Sequence, residues 1–312
     1  MAWKKLGRIY CLPECPERST THMQGPVAIA LGTKIRIYFS ARDVNGRSYP
    51  TYMDVDIDCP TRVLCIHDKP IMEFGTTGTF DDEGIMPACV IKSENALWLY
   101  YSGWNRRVTI PYHNTTGVAY SNDGGYTYRK MFEGPILDRT PVEPYMAVTP
   151  WVMRLGDVWR MWYVSGLGWP EVNGVREPVY GIKSAVSNDG LHWERDGRLL
   201  IPMRHSKEAI ARPTVVQRDD CWHMWYAFRD SVDFRDGIGS YQIGYAYSRD
   251  GEHWVRDDSK AGIDRSDEGW DTTMSSYPYI LDLGDKLLLF YNGNGFGQTG
   301  IGCAVWEGAL LS

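Results

Sequence analysis

Residues 149–166 read TPWVMRLGDVWRMWYVSG: a proline, an apolar run, a Leu-Gly-Asp turn, and a second apolar run that ends in aromatics. Two runs of strand length, rich in Val, Trp and Tyr around a short glycine turn, describe a β-hairpin. The hairpin is written four more times, as GPVAIALGTKIRIYFSA at 25–41, MPACVIKSENALWLYYSG at 86–103, RPTVVQRDDCWHMWYAF at 212–228 and YPYILDLGDKLLLFYNG at 277–293. The prolines Pro26, Pro87, Pro150, Pro213 and Pro278 stand 61, 63, 63 and 65 residues apart. From each proline to the aromatic near the end of the second run (Phe39, Tyr101, Tyr163, Tyr226, Tyr291) the interval is 13 residues, or 14 in the second copy. Five copies at one period form an internal repeat, so the chain is expected to build five similar units.

Each unit continues into a third strand: YMDVDID at 52–58, TTGVAYS at 115–121, YGIKSAVS at 180–187, YQIGYAYS at 241–248 and TGIGCAVW at 299–306. In the middle three units that strand runs into SNDGGYTY (121–128), SNDGLHWE (187–194) or SRDGEHWV (248–255), and a fourth strand leaves the turn. Four antiparallel strands per unit, repeated five times, predict an all-β fold: one five-bladed β-propeller domain over residues 1–312. Its blades fall near 22–75, 80–138, 143–202, 208–263 and 270–310. The last unit has only three strands, so WKKLGRIY at 3–10 is expected to supply the fourth and close the ring, leaving no open sheet edge. The thrice-written Asp123, Asp189 and Asp250 read as turn formers: each accepts backbone N–H bonds, a glycine takes positive φ, and the following aromatic packs between blades.

Composition removes several function classes. A net charge of −6 and no Lys/Arg run longer than two argue against a nucleic-acid partner. Neither a secretory leader nor an apolar run near 18 residues is found, which predicts a cytoplasmic protein without a membrane span. Seven cysteines with no CxxC, and histidines with no HxH or HxxxH spacing, predict reduced thiols, no metal and no cofactor, although Cys11 and Cys15 in CLPEC are close enough to pair. Thirteen tryptophans and twenty tyrosines exceed what a core of aliphatic packing needs, and aromatic faces suit sugar rings.

The five Pro-led hairpins, the SNDGLHW turns and EGWDTTMSSYPYI at 268–280 resemble the five-bladed propellers of the glycoside hydrolase superfamily, which includes the arabinanase/xylosidase, invertase/levansucrase and mannoside phosphorylase families. THMQGP (21–26), GTFDDEGIMP (78–87), RTPVEPY (139–145), ARP (211–213), EGWD (268–271) and YNGNGFGQTG (291–300) look like stand-alone, glycosidase-like propellers of bacterial surface-polysaccharide gene clusters. The resemblance implies a glycosidase-like hydrolase, transferase or phosphorylase acting on a sugar. The chain departs from the arabinanase pattern, with Gly25-Pro26 where that pattern has Asp-Pro and with Glu143 seven residues before Pro150, so the three-carboxylate hydrolase set is not matched.

Residues just before each repeat proline are expected to converge at one mouth of the channel. They include His22, Asp81, Asp82, Glu143, Arg212, Trp270 and Asp271. Carboxylates sharing a pocket suit glycosyl chemistry, one protonated to assist the leaving oxygen and another ionised. Glu143, fixed between Pro141 and Pro144 in the blade where the resembled superfamily keeps its acid, is the first candidate acid, with Asp82, Asp271 and Asp81 behind it. Loops between the second and third strands add Arg42, Asp43, Trp104, Asn105, Asn114, Arg229, Asn292 and Asn294 as candidate sugar contacts. Arg42, Arg212 and Arg229 favour an anionic ligand, a sugar phosphate or nucleotide sugar. The competing expectation is a carbohydrate-binding propeller without catalysis.

Overall fold

The computed structural model describes residues 2–12, 20–218, 220–235 and 237–308. Cys15 lies outside the described residues. Each repeat hairpin becomes the inner half of a four-stranded antiparallel sheet. Blade one is Thr21–Leu31, Lys34–Arg42, Ser48–Asp56 and Val63–Ile66. Blade two is Gly84–Ser93, Ala96–Arg106, Tyr112–Ser121 and Arg129–Lys130. Blade three is Ala147–Leu155, Val158–Gly168, Val179–Ser187 and Glu194–Arg195, with a small hairpin, Glu171–Val172 and Val175–Arg176, in its second connection. Blade four is Glu208–Arg218, Cys221–Asp230, Gln242–Ser248 and Val255–Arg256. Blade five is Ser276–Asp282, Leu287–Asn292 and Ile301–Glu307, completed by Ala2–Tyr10. A single parallel bridge, Ser48 to Gly84, joins blades one and two.

The innermost strands touch one another in the cycle one, two, three, four, five, one, which makes the ring a five-bladed β-propeller. Closure comes from the N-terminal strand, paired antiparallel from Ala2–Glu307 to Tyr10–Ile301. Trp3 anchors it, packing edge-on against Trp225 of blade four at 5.5 Å and Trp306 at 5.1 Å. Blades are covered on both faces, so the second strands read as continuous apolar runs rather than alternating ones. Trp162, Tyr163, Trp225, Tyr226 and Tyr291 are all fully buried.

A proline cannot donate to the ladder, and each innermost strand answers with a bulge at its repeat proline. In four blades the residue before it takes positive φ: Gly25 at 69°, Thr149 at 45°, Arg212 at 56° and Tyr277 at 54°. For a β-branched or bulky residue that backbone is strained. It turns these side chains to the axis, where Thr149 and Tyr277 line a cavity.

The repeated turns are built as expected. Asp189 Oδ1 accepts the N–H groups of Leu191 and His192, both at 2.8 Å, and Asp250 Oδ1 does the same for Glu252 and His253. Each turn aromatic packs on the preceding blade: Tyr128 on Tyr38, Trp193 on Tyr100 and Trp254 on Trp162.

Candidate functional site

A cavity of about 340 Å³ sits on the axis, at the end where the innermost strands begin. All five blades reach it at equivalent positions, through Gln24, Met86, Val148 with Thr149, Ala211 and Tyr277. The connections between second and third strands close its sides with Arg42, Trp104, Tyr112, Asn114, Trp169, Tyr180, Arg229 and Phe296. One wall is aromatic and continuous, Tyr112 lying 4.7 Å from Trp104 and 5.2 Å from Trp169. The facing wall is phenolic. The Tyr180 and Tyr241 hydroxyls are hydrogen-bonded, and Tyr241 packs 5.5 Å from Tyr277, whose hydroxyl burial pushes up to about 12.

Arginines stand between these walls. Arg229, 2% exposed, donates to the Pro178 carbonyl at 2.8 Å, the Ser231 hydroxyl at 3.1 Å and the Tyr180 hydroxyl at 3.3 Å, and lies 3.8 Å over the Phe234 ring. Arg42 donates to Gln24 Oε1 at 3.0 Å, and burial lowers its pKa. Arg212 lies on the axis, giving its donors to the carbonyls of Pro87, Gly25 and Pro26. Burial brings the Arg212 guanidinium down to about 10. Among the described residues none of these three guanidiniums forms an ion pair, whereas Arg235 is bound to Glu177 at 2.6 Å. Glu177 is the one carboxylate among the described lining residues. Three lining polar atoms, Trp104 Nε1, Asn114 Oδ1 and Thr149 Oγ1, are buried without a hydrogen-bond partner.

The cavity therefore gathers Arg42, Trp104, Asn114 and Arg229 from the sequence expectations, and Arg212 lies on the axis without lining it. The expected acids do not meet there. Asp81 accepts from the Tyr101 hydroxyl at 3.0 Å and pairs with Lys130 at 2.6 Å. Glu143 accepts from Tyr163 at 2.9 Å and Ser165 at 2.7 Å, with Lys183 at 3.4 Å and Arg195 at 3.7 Å. Asp271 accepts from Tyr291 at 3.0 Å and pairs with Lys5 at 2.7 Å. In blade four Glu208 is bound by Arg204 and Arg256, and Tyr226 donates to Asp258 instead. Asp81, Glu143 and Asp271, 0–1% exposed, form one repeated unit in blades two, three and five: an acid before the innermost strand, the repeat tyrosine and a cation from the outermost strand; blade four keeps a buried acid, Glu208, and the outermost-strand cation, Arg256, without the tyrosine bond. Blade one has Phe39 without a hydroxyl and His22 in place of an acid, and the unit is missing together with its partner. The placement corrects the expectation that Asp81, Glu143 and Asp271 face one pocket.

Other candidates also serve the scaffold. Asp82 holds the turn before blade two by accepting from Gly78 N–H at 2.7 Å and Asn105 at 2.9 Å. Asp43 folds its own loop and pairs with Arg47. His22 bonds Thr21 at 2.7 Å, and burial beside Arg42 lowers its pKa to about 4. Trp270 packs on Tyr291 inside blade five. Asn292 ties blade five to blade one through the Gly25 N–H and the Met23 carbonyl, both at 2.7 Å. Asn294 holds Thr273 and Met274, fixing the loop from which Phe296 reaches the cavity. The sequence expectations passed over Trp169, Arg176, Glu177, Tyr180, Arg235 and Tyr241. Loop length was the available signal, because the second-to-third connections span residues 43–47 and 107–111 in blades one and two but 169–178 and 231–241 in blades three and four.

No family model matches the chain. Two curated proteins do, Uncharacterized protein MT1551 and Uncharacterized protein Rv1502 from two strains of Mycobacterium tuberculosis, each 37% identical over 309 residues, covering 98% of this chain and 100% of their own. The chain belongs to their family. The match runs along the whole length of both proteins. Among solved structures the propeller superposes on BT0996 in its RGII complex with TM-score 0.76 at 17% identity, covering 98% of this chain and 92% of that protein. It superposes on a structure of the GH130 family of mannoside phosphorylases at 0.71 and 15%, covering 98% and 93%, and on a thermostable family-43 glycoside hydrolase at 0.66 and 16%, covering 91% and 88%. At such identities the likeness is one of fold alone, the β-propeller that these structures share.

Proposed function

We propose that the protein is a glycosidase-like enzyme that holds an anionic or activated sugar in the axial cavity and transfers its glycosyl group, within bacterial surface-polysaccharide metabolism. The observation that carries this reading is the excess of guanidinium charge, since Arg42 and Arg229 line the cavity and Arg212 lies on the axis, with no ion pair to any of the three among the described residues. A neutral glycan needs no such excess, whereas a phosphate or carboxylate does. Sugar as the ligand class is supported by the aromatic wall and by the fold's likeness to GH130 proteins, among them glycoside hydrolases described as targeting β-1,2 mannosidic linkages.

The donor set favours transfer over simple hydrolysis. Carboxylate-catalysed hydrolysis uses two acids flanking the bond, and Glu177 stands alone among the described lining residues. A glycosyl phosphate relaxes that requirement, because its leaving group is already the anion of a strong acid. In the proposed step the C1–O bond breaks with its electron pair going to the phosphate oxygen, whose charge Arg229 and Arg42 neutralise. The incoming hydroxyl oxygen bonds to C1 and gives its proton to Glu177. Read backwards, the same step is phosphorolysis. Trp104 and Trp169 stack on the ring, and Asn114 and Thr149 meet its hydroxyls.

A second reading, a binding propeller without catalysis, is favoured by one observation: Glu177 is already occupied by Arg235 at 2.6 Å. Turnover of hexose 1-phosphates and nucleotide sugars, followed with calorimetry on the same preparations, separates the two. Glu177→Gln is expected to lower turnover about 100-fold while binding persists, and Arg229→Met to weaken binding by about 1.5–3 kcal/mol. No turnover with binding that still depends on Arg229 leaves the binding propeller. Binding indifferent to Arg229→Met removes the anionic-sugar reading altogether.

A further inference from the structure

Loop tips on an acidic protein are ordinarily polar. Here the four most exposed large apolar side chains among the described residues are Val108, Ile238, Val142 and Val44, at 103%, 85%, 73% and 70%. All four stand at the cavity end of the propeller. Val44, Val108 and Ile238 lie in second-to-third strand connections of blades one, two and four, and Val142 lies in the approach to the innermost strand of blade three. Val175, also exposed, sits on the small hairpin in blade three's connection. Isolated exposed aliphatics need no explanation, but Val44, Val108, Val175 and Ile238 belong to the loops that wall the cavity at or beside Arg42, Pro111, Arg176 and Phe234, and Val142 lies on the segment that leads to the lining residue Met146.

Size limits what the cavity takes. About 340 Å³ corresponds to the volume of roughly ten waters, room for a sugar and a phosphate. Anything longer attached to that phosphate must leave through the mouth and lie across the tips. On the four aliphatic tips themselves a nucleoside finds no stacking face and a glycan chain no partner for its hydroxyls. An alkyl chain needs only apolar surface. Arg106, Arg139 and Arg235, though largely exposed nearby, are each paired with a carboxylate, Glu83, Asp138 and Glu177, so what this end offers a lipid is apolar contact rather than an excess of positive charge.

We propose that the ligand is a glycosyl phosphate carried on a lipid chain and taken from a membrane surface, its anionic sugar end in the cavity and its chain across the aliphatic tips of Val44, Val108, Val142 and Ile238. The proposal rests on the anionic-sugar reading of the cavity and specifies what the sugar is attached to.

Two measurements test it. Calorimetry with methyl phosphate and octyl phosphate below its micellar concentration reads the tips and the cavity together. Octyl phosphate is expected to bind at least tenfold more tightly, in line with about 0.8 kcal/mol for each methylene that is buried. In V108D/I238D the ratio of the two affinities should fall towards one, and in Arg229→Met both should weaken in parallel. Flotation with vesicles of phosphatidylcholine, alone or with an equal part of phosphatidylglycerol, reads the tips without the cavity. Wild type is expected to float with both vesicles, and V108D/I238D to remain in solution. Equal affinity for the two phosphates overturns the lipid proposal and leaves the cavity reading standing. Failure of wild type to float with either vesicle also overturns it. If neither phosphate binds, the anionic-sugar reading fails first and the lipid proposal with it, whatever the vesicles do.

Discussion

A glutamate at the approach to a propeller's axis is easily taken for an acid catalyst, yet the partners of Glu143 give it another task. Its carboxylate is 1% exposed and lies beside Lys183 and Arg195, so removing its charge strands two cations inside the blade. Breaking a buried pair by deleting one partner costs about 3 kcal/mol or more. Glu143→Ala should therefore lower the unfolding free energy by that order, read as a fall in the denaturant midpoint at unchanged slope, with ligand affinity per folded molecule preserved; normal stability with lost turnover would return Glu143 to the site. His22 supplies a pH signature. Burial beside Arg42 lowers its pKa from 6.5 to about 4, so between these values the unfolded chain binds more protons than the native one. Stability is then fully present above pH 6.5 and declines as pH falls towards 4. His22→Gln should flatten that slope in urea melts, and an unchanged slope would place the titration elsewhere.

At the scale of the element, the SxDG turns of blades three and four are interchangeable in construction, while that of blade two is one residue longer and its Asp123 accepts from Tyr126 and Thr127 instead. Backbone N–H bonds from His192 and Leu191 hold the Asp189 carboxylate well below the usual range, and the same bonds from His253 and Glu252 act on Asp250. Asn at either position still accepts one bond, so each substitution is expected to lower the urea midpoint only slightly. Ligand binding should be unaltered, because these turns lie at the end of the blades away from the cavity; lost affinity at an unchanged midpoint would make the turns functional. Glycine in these turns also has a packing reason: a Cβ on Gly190 would stand 2.9 Å from the Tyr100 hydroxyl of the neighbouring blade, at φ 76°. The repeated carboxylate–tyrosine unit was open to the same reading. Tyr101, Tyr163, Tyr226 and Tyr291 each follow an upstream acid, and Phe39 follows none. That correlation within one chain marks the acids as parts of the repeat, and singular residues had to be sought in the loops.

For the whole molecule, the ring is held shut by one strand. Lys5 pairs with Asp271, Trp3 donates its backbone N–H to the Gly262 carbonyl at 2.8 Å, and the strand covers the edge of blade five. Deleting residues 2–10 exposes that edge and leaves Asp271 without its cation, so a loss of the cooperative thermal transition is expected rather than a trimmed tail. A truncated protein that melts at the wild-type temperature would show that the ring does not depend on this strand.

Period and pattern were enough for the architecture. Five Pro-led hairpins, a third strand after each, and a short fifth unit specify the blade number, the strand order and the segment that closes the ring, because the first four blades are local in sequence, each built by its own 60-odd residues, and the fifth lacks only the strand that the N-terminal segment supplies. Arg42, Trp104, Asn114 and Arg229 were legible for a related reason, since the alternation of strand direction puts every second-to-third connection at one end. Which charges remain uncompensated there was not legible. Asp81, Glu143 and Asp271 precede the innermost strands as a catalytic acid would, and only the path of the outermost strands brings Lys130, Arg195 and Lys5 against them. Arg229 lies in an equally polar stretch, and only the packing of two neighbouring loops gives it carbonyls and hydroxyls in place of a carboxylate. Pairing across blades is a matter of distance in space, which the repeat leaves free to differ from one blade to the next.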